Sequence, residues 1–136
     1  MSRVFTVDEA NRTLPLVSRI VEDIVRDYAR WREKVEAYEL EVARTTRGET
    51  NEDAARLERD AQQLAAEIER YLGELAALDV QFKGFDLGLV DFPARKDDRD
   101  VMLCWRLGEP RVEYWHEVDG GFAGRQPLGQ LTGSVA

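Results

Sequence analysis

The feature that most constrains this chain is a pair of apolar stripes whose members are spaced three or four residues apart. The first stripe comprises Leu14, Val17, Val21, Ile24, Tyr28, Trp31, Val35, Tyr38 and Val42. The second comprises Leu57, Ala61, Leu64, Ile68, Tyr71, Leu75 and Leu78, and it repeats like a coiled-coil seam over about three heptads. This spacing is that of one helix face, so the sequence predicts two long helices.

The predicted helices have recognisable start signals. Thr6-Val7-Asp8-Glu9 has the pattern of a capping box, in which a threonine and a glutamate satisfy each other's backbone amides. Asn51 or Thr50 can cap the second helix. Pro15 lies too far inside to be the first helical residue, so either a separate helix starts at Thr13 or one helix bends there.

The linker between the helices, Thr45 to Asn51, is short and rich in turn-forming residues, which predicts an antiparallel helical hairpin. Two helices alone cannot bury both apolar stripes. The C-terminal part of the chain or a second copy must therefore cover them, and we expect a homodimer through the hairpin that forms a four-helix bundle.

The chain after residue 78 is typical of strands and turns, and it holds eight of the ten glycines. Alternation and turn residues predict strands at Val80–Lys83, Val101–Trp105 and Val112–His116. Gly84, Gly88 and Pro93 interrupt the segment between the first two of these strands.

These elements predict an α+β fold: a long antiparallel two-helix, coiled-coil-like hairpin with a small antiparallel β-sheet at its C-terminal end. We expect a single domain over residues 1–136. It is divided into the hairpin (1–78), a small β-subdomain (79–128) and a flexible tail (129–136).

Charge and composition exclude several classes of protein. The net charge is −8, and no run of three or more basic residues offsets it, so nucleic acid and anionic membranes are not expected partners. No apolar stretch is long enough for a signal peptide or a membrane span. One cysteine excludes an internal disulfide. These observations predict a cytoplasmic protein with a reduced thiol.

Several short motifs resemble a known family. They are "FTVDEANRTLPLV" near the start, then "GLVDFPA", "CWRLGE", "YWHE" and "GFAGRQPL". Together they resemble the bacterial proteins grouped as domain of unknown function 2203, over Phe5 to Leu128. The resemblance implies the same single-domain architecture in a soluble bacterial protein, and it assigns no catalytic residue.

The only cysteine, Cys104, and the only histidine, His116, lie in the two strands of a predicted β-hairpin. The register of this hairpin decides whether their side chains meet. A three-residue loop, Gly108–Pro110, places Cys104 opposite Tyr114 and Met102 opposite His116. In this register Cys104 and His116 share one face of the sheet, close enough for their tips to approach.

A four-residue loop, Leu107–Pro110, gives the other register. Cys104 and His116 then point to opposite faces, and Arg106 lies opposite Arg111. Two like charges across a strand pair are unfavourable, so the three-residue loop is the favoured interpretation.

A thiolate and an imidazole on one face suit a divalent transition metal such as zinc, ferrous iron or copper. The metal candidates are Cys104, His116 and Glu117, with Asp91 or Glu109 as other sources of an oxygen ligand. The simpler interpretation is structural: a histidine at a strand end is commonly packed and hydrogen-bonded, and a buried cysteine behaves as a small hydrophobe.

The same region contains many aromatic residues, which can form a small core or a shallow binding pocket. The candidate ligand-binding residues are Asp91, Trp105, Glu109, Trp115 and Arg125, with His116 also on the rim. The expected function is that of a soluble binding or scaffold protein with this polar-rimmed aromatic site. The alternative is a small metal-dependent enzyme using Asp91, Glu109, His116 and Glu117.

Overall fold

The computed structural model describes residues 3–130, and the predicted tail lies outside them from residue 131 onward. The described residues form α1 (Val7–Arg44), α2 (Glu52–Ala77), β1 (Gln81–Gly84), β2 (Leu89–Lys96), β3 (Arg99–Arg106), β4 (Tyr114–Glu117) and β5 (Gln126–Pro127). Short 3₁₀ turns lie at Phe122–Gly124 and Leu128–Gln130. The predicted α+β fold, two long packed helices followed by an antiparallel sheet, is confirmed.

The start of α1 is the predicted capping box. The Glu9 amide donates to the Thr6 hydroxyl at 3.0 Å, and the Thr6 amide donates to the Glu9 carboxylate at 3.0 Å. The helix then runs without a break through Pro15, so the alternative of a separate helix starting at Thr13 is wrong. The Thr13 hydroxyl donates to the Glu9 carbonyl at 2.8 Å, within the turn before the proline.

Asn51, and not Thr50, caps α2. Its side-chain oxygen accepts from the Ala54 amide at 2.9 Å. Its side-chain nitrogen donates back to the end of α1, to the Thr45 hydroxyl at 2.8 Å and the Glu41 carbonyl at 3.3 Å. One side chain therefore begins the second helix and holds the linker to the first.

The five described strands form a simple antiparallel meander in the order β1-β2-β3-β4-β5. The sequence did not predict β2, because Pro93 lies inside it. The Pro93 carbonyl accepts from the Phe5 amide at 2.7 Å, so this side of the residue faces the segment before α1 and not β3. Since the amide and carbonyl of a strand residue point the same way, Pro93 removes no hydrogen bond from the β2–β3 ladder.

The favoured register of the β3–β4 hairpin is confirmed, but its three-residue loop is wrong, because residues 107–113 connect the two strands. Cys104 lies opposite Tyr114, and Met102 lies opposite His116. The return strand is shorter than predicted because Val112 leaves the sheet: its amide donates to the Asn11 side chain of α1 at 2.8 Å.

The two faces of the sheet have different environments. One face packs on the helices, and its buried side chains include Val90, Phe92, Leu103, Trp105 and Trp115. Asp91, Cys104 and His116 alternate with these residues and therefore lie on the outer face.

Neither helix within residues 3–130 has an apolar stretch of the length that a membrane span requires.

Candidate functional site

Three polar side chains from neighbouring strands meet on the outer face of the sheet. Asp91 of β2 lies opposite Cys104 of β3, and His116 of β4 lies diagonally across from Cys104. A carboxylate oxygen of Asp91, the Cys104 sulfur and a ring nitrogen of His116 all lie within 4.8 Å of one another. The three residues are only 3%, 0% and 2% exposed, respectively. An outer sheet face usually carries solvated side chains, so a buried polar cluster there requires an explanation.

An ion pair lies beside this cluster. The Arg125 guanidinium donates to the Glu109 carboxylate at 3.1 and 2.5 Å, and both side chains are largely buried. The guanidinium stacks on the rings of Tyr114 and Phe122, 3.8 and 4.5 Å from their centroids. One of its nitrogens lies 3.9 Å from the Cys104 sulfur. The loops before and after β4 therefore bring a neutral, charge-balanced pair next to the thiol.

The hydrogen bonds of His116 determine which nitrogen carries its proton. Nδ1 lies 2.6 Å from the Glu117 backbone carbonyl, which can only accept, so Nδ1 is assigned as the donor. Nε2 lies 3.0 Å from Oδ1 of Asp91. In a neutral imidazole this Nε2 has a lone pair, and a lone pair facing a carboxylate oxygen is unfavourable unless a proton or a metal ion lies between them.

The surroundings of Cys104 keep its thiol protonated in the absence of a metal ion. Burial, and after it the negative charge of Asp91, raise the pKa of the thiol to about 11, although Arg125 acts in the opposite direction. Cys104 therefore has almost no thiolate near neutral pH and lacks the activation that a nucleophilic cysteine needs.

Glu117, a predicted metal ligand, is not in this cluster. It lies opposite Val101 at the end of β4, and its carboxylate pairs with Arg99 at 3.1 Å. Its side chain points away from the outer face because it directly follows His116 in the strand. The contribution of Glu117 is its backbone carbonyl, which orients the imidazole of His116, and no sequence signal indicated this role.

The predicted aromatic ligand site is divided between the two faces of the sheet. Trp105 and Trp115 are buried in the core against the helices, whereas Asp91 lies on the other face. The Trp105 indole donates to the Glu109 carbonyl at 3.0 Å, which braces the turn that carries the Glu109 carboxylate. The two tryptophans therefore lie on the helix-facing side of the sheet and do not line a common pocket with Asp91.

Comparison with known proteins gives one relationship. The sequence model of the family described as "uncharacterized conserved protein (DUF2203)" matches residues 3–128, and the chain therefore belongs to this family. No curated protein and no solved structure matches the chain.

Proposed function

We propose that this DUF2203 protein binds a divalent transition metal ion, zinc above all, through Asp91, Cys104 and His116. The observation that carries the proposal is the 3.0 Å contact between Nε2 of His116 and Oδ1 of Asp91, made while Nδ1 donates to a backbone carbonyl. Two acceptors in buried contact require a positive species between them or beside them.

The chemistry of the donor set favours zinc. Zinc in proteins takes thiolate, imidazole and carboxylate ligands at about 2.0–2.3 Å, and donor atoms grouped within 4.8 Å suit one ion. A histidine that binds metal commonly donates its other ring nitrogen to a carbonyl or carboxylate. His116 already has this arrangement through the Glu117 carbonyl.

Charge balance supports the same occupant. A thiolate from Cys104 and a carboxylate from Asp91 together neutralise one divalent cation, while the neighbouring Arg125 and Glu109 neutralise each other. Binding drives the thiol proton of Cys104 into solvent, because the ligand is the thiolate. In this proposal, a water molecule or a small ligand takes the fourth position.

Metal binding is favoured over metal-dependent catalysis by the surroundings of the site. The three ligands are buried. The two other carboxylates considered for acid–base chemistry, Glu109 and Glu117, are engaged in ion pairs with Arg125 and Arg99. A catalytic metal ion must be reached by substrate, and these three side chains are at most 3% exposed.

The test is the metal content of the untagged protein, measured by inductively coupled plasma mass spectrometry after purification without chelator. We expect stoichiometric zinc, loss of zinc in Cys104→Ala and His116→Gln, and retention in the matched control Glu117→Gln. The control removes a neighbouring carboxylate that lies outside the cluster.

Cobalt substitution distinguishes thiolate ligation from adventitious binding. Co²⁺ added to the metal-free protein should give thiolate-to-cobalt charge-transfer absorption that disappears in Cys104→Ala. A folded protein that carries no metal and takes up neither ion would contradict the proposal. A shared proton alone would then account for the short distance between Nε2 of His116 and Oδ1 of Asp91.

A further inference from the structure

The far half of the helical hairpin carries an apolar surface that the sheet does not reach. We call it the tip strip, and it comprises Trp31, Val35 and Tyr38 of α1 with Ala61 and Ala65 of α2. These residues line an open groove of about 340 Å³. All except Ala61 are only half-buried.

The tip strip continues the surface on which the sheet packs. The ring of Tyr28 stacks on Phe85 from the β1–β2 turn at 4.4 Å and on Trp31 at 5.8 Å. The sheet therefore covers the apolar face up to Tyr28, and the uncovered part begins at Trp31. An exposed apolar residue stands near each end: Leu87 in the β1–β2 turn, 45% exposed, and Val42 near the hairpin tip, 46% exposed.

Two opposite charges border the tip strip along α1. Arg32 adjoins Trp31, and Glu39 lines the groove beside Tyr38. They are seven residues apart, so they lie on the same side of the helix, separated by about 10 Å. Both are exposed, and among residues 3–130 neither takes part in an ion pair.

We propose that the tip strip is covered by a second copy of the same chain, packed antiparallel about a two-fold axis that passes near Val35. A strip that is positive at one end and negative at the other complements itself when it is reversed. About this axis, Arg32 meets the partner's Glu39, and the partner's Arg32 meets Glu39. The small side chains of Ala61 and Ala65 allow the helices of the second copy to approach closely.

The proposed axis also places the exposed apolar ends of the strip together. Val35 lies midway between Tyr28 and Val42, so Val42 of one copy falls over Tyr28 and towards Leu87 of the other. Each copy then covers the tip of its partner up to the partner's sheet. The product is a four-helix bundle with a sheet at either end.

The oligomeric state tests this proposal, and α1 offers a matched pair of variants. Val42 lies within about 20° of Val35 around the helix, whereas Leu40 lies about 140° away. Both are exposed, at 46% and 65%, so neither substitution should unfold the chain. By sedimentation equilibrium at about 1 to 100 µM, we expect the wild type and Leu40→Glu to be dimers and Val42→Glu to be a monomer.

Charge reversal tests the orientation. Arg32→Glu and Glu39→Arg should each raise the dimer dissociation constant on the order of tenfold, and the double variant should restore it. A monomeric wild type over this range would overturn the proposal. So would a dimer that Leu40→Glu dissociates and Val42→Glu does not, or a double variant no tighter than the single ones. Circular dichroism verifies that each variant keeps its helices.

Discussion

Cys104 illustrates how burial sets the chemistry of a single residue. The thiol is fully buried between Asp91 and Arg125, and its pKa is raised to about 11. A metal ion reverses this preference because it binds the thiolate directly. The same residue is therefore an inert thiol in the metal-free protein and a strong ligand in the proposed metal-bound one.

The raised pKa of Cys104 predicts a loss of stability in alkali for the metal-free protein. A group whose folded pKa exceeds its unfolded value contributes stability that is complete below pH 9 and is lost as the pH rises through about 11. In the presence of EDTA, the free energy of unfolding of the wild type should fall relative to Cys104→Ala by about 2 kcal/mol over this window. Urea titrations at several pH values measure the difference, and parallel curves for the two proteins would contradict it.

Gly88 is the glycine at which the fold most clearly requires the absence of a side chain. Its φ is +64°, and an added Cβ would lie 2.8 Å from the Leu107 Cβ and 3.0 Å from a Val21 methyl. The residue lies where the β1–β2 turn meets α1, so close backbone approach sets the position of β2 and of Asp91.

Gly88→Ala should destabilise the protein by about 2–4 kcal/mol, because left-handed strain and overpacking add together. Gly48→Ala is the matched control. Its φ is +89°, but nothing lies within 4 Å of the added Cβ, so only the strain of about 1 kcal/mol applies. Denaturant unfolding of the two variants measures both losses. Equal losses of unfolding free energy in the two variants would show that Leu107 and Val21 move aside for the added Cβ at little cost.

Among the elements, the two helices are joined by hydrogen bonds at the end of α1 and the start of α2. Asn51 joins them, since it caps α2 through the Ala54 amide and also donates to Thr45 and Glu41 at the end of α1. Asn51 therefore links the end of α1 to the start of α2 through hydrogen bonds of one side chain.

Asn51→Ala should lower the free energy of unfolding by about 1–2 kcal/mol, because it removes the cap and leaves the Ala54 amide without its partner. Thr50→Ala is expected to leave stability unchanged within about 0.5 kcal/mol. Thermal or urea unfolding followed by circular dichroism compares the two. A larger loss of stability in Thr50→Ala than in Asn51→Ala would show that Thr50, and not Asn51, caps α2.

At the scale of the whole molecule, residues 3–130 form three layers: the helical hairpin, the sheet, and the segment after β4, whose Arg125 reaches Cys104 on the outer face of the sheet. The apolar core lies between the first two layers, and the proposed metal site lies between the second and the third. An ion bound there joins β2, β3 and β4, which come from separate parts of the sequence.

Zinc should therefore raise the stability of the entire domain. An ion that binds only the folded state at 100 times its dissociation constant adds about 2.7 kcal/mol. We expect EDTA to lower the melting temperature of the wild type and to have no effect on Cys104→Ala, which differential scanning calorimetry measures. An equal effect of EDTA on both proteins would place the stabilising ion elsewhere.

The sequence by itself determined the parts of this protein that depend on neighbours a few residues apart. Helical periodicity identified α1 and α2, and the capping box at Thr6 and a cap at either Thr50 or Asn51 marked their starts. The sequence also favoured the correct register of the β3–β4 hairpin, because the other register sets two arginines against each other, and this placed Cys104 and His116 on one face.

Only the tertiary structure decided which residues from distant segments meet. Asp91 and His116 are 25 residues apart and touch because β3 pairs with both β2 and β4. Pro93 argued against a strand at β2, and the strand forms because the Pro93 carbonyl accepts from the Phe5 amide outside the ladder. Strand alternation, by contrast, is a local pattern, and in the favoured register it already places Trp115 and Glu117 on the face opposite His116. Local propensity is set by adjacent residues, whereas strand pairing is decided by packing across the whole domain, which cannot be deduced from local patterns in one sequence.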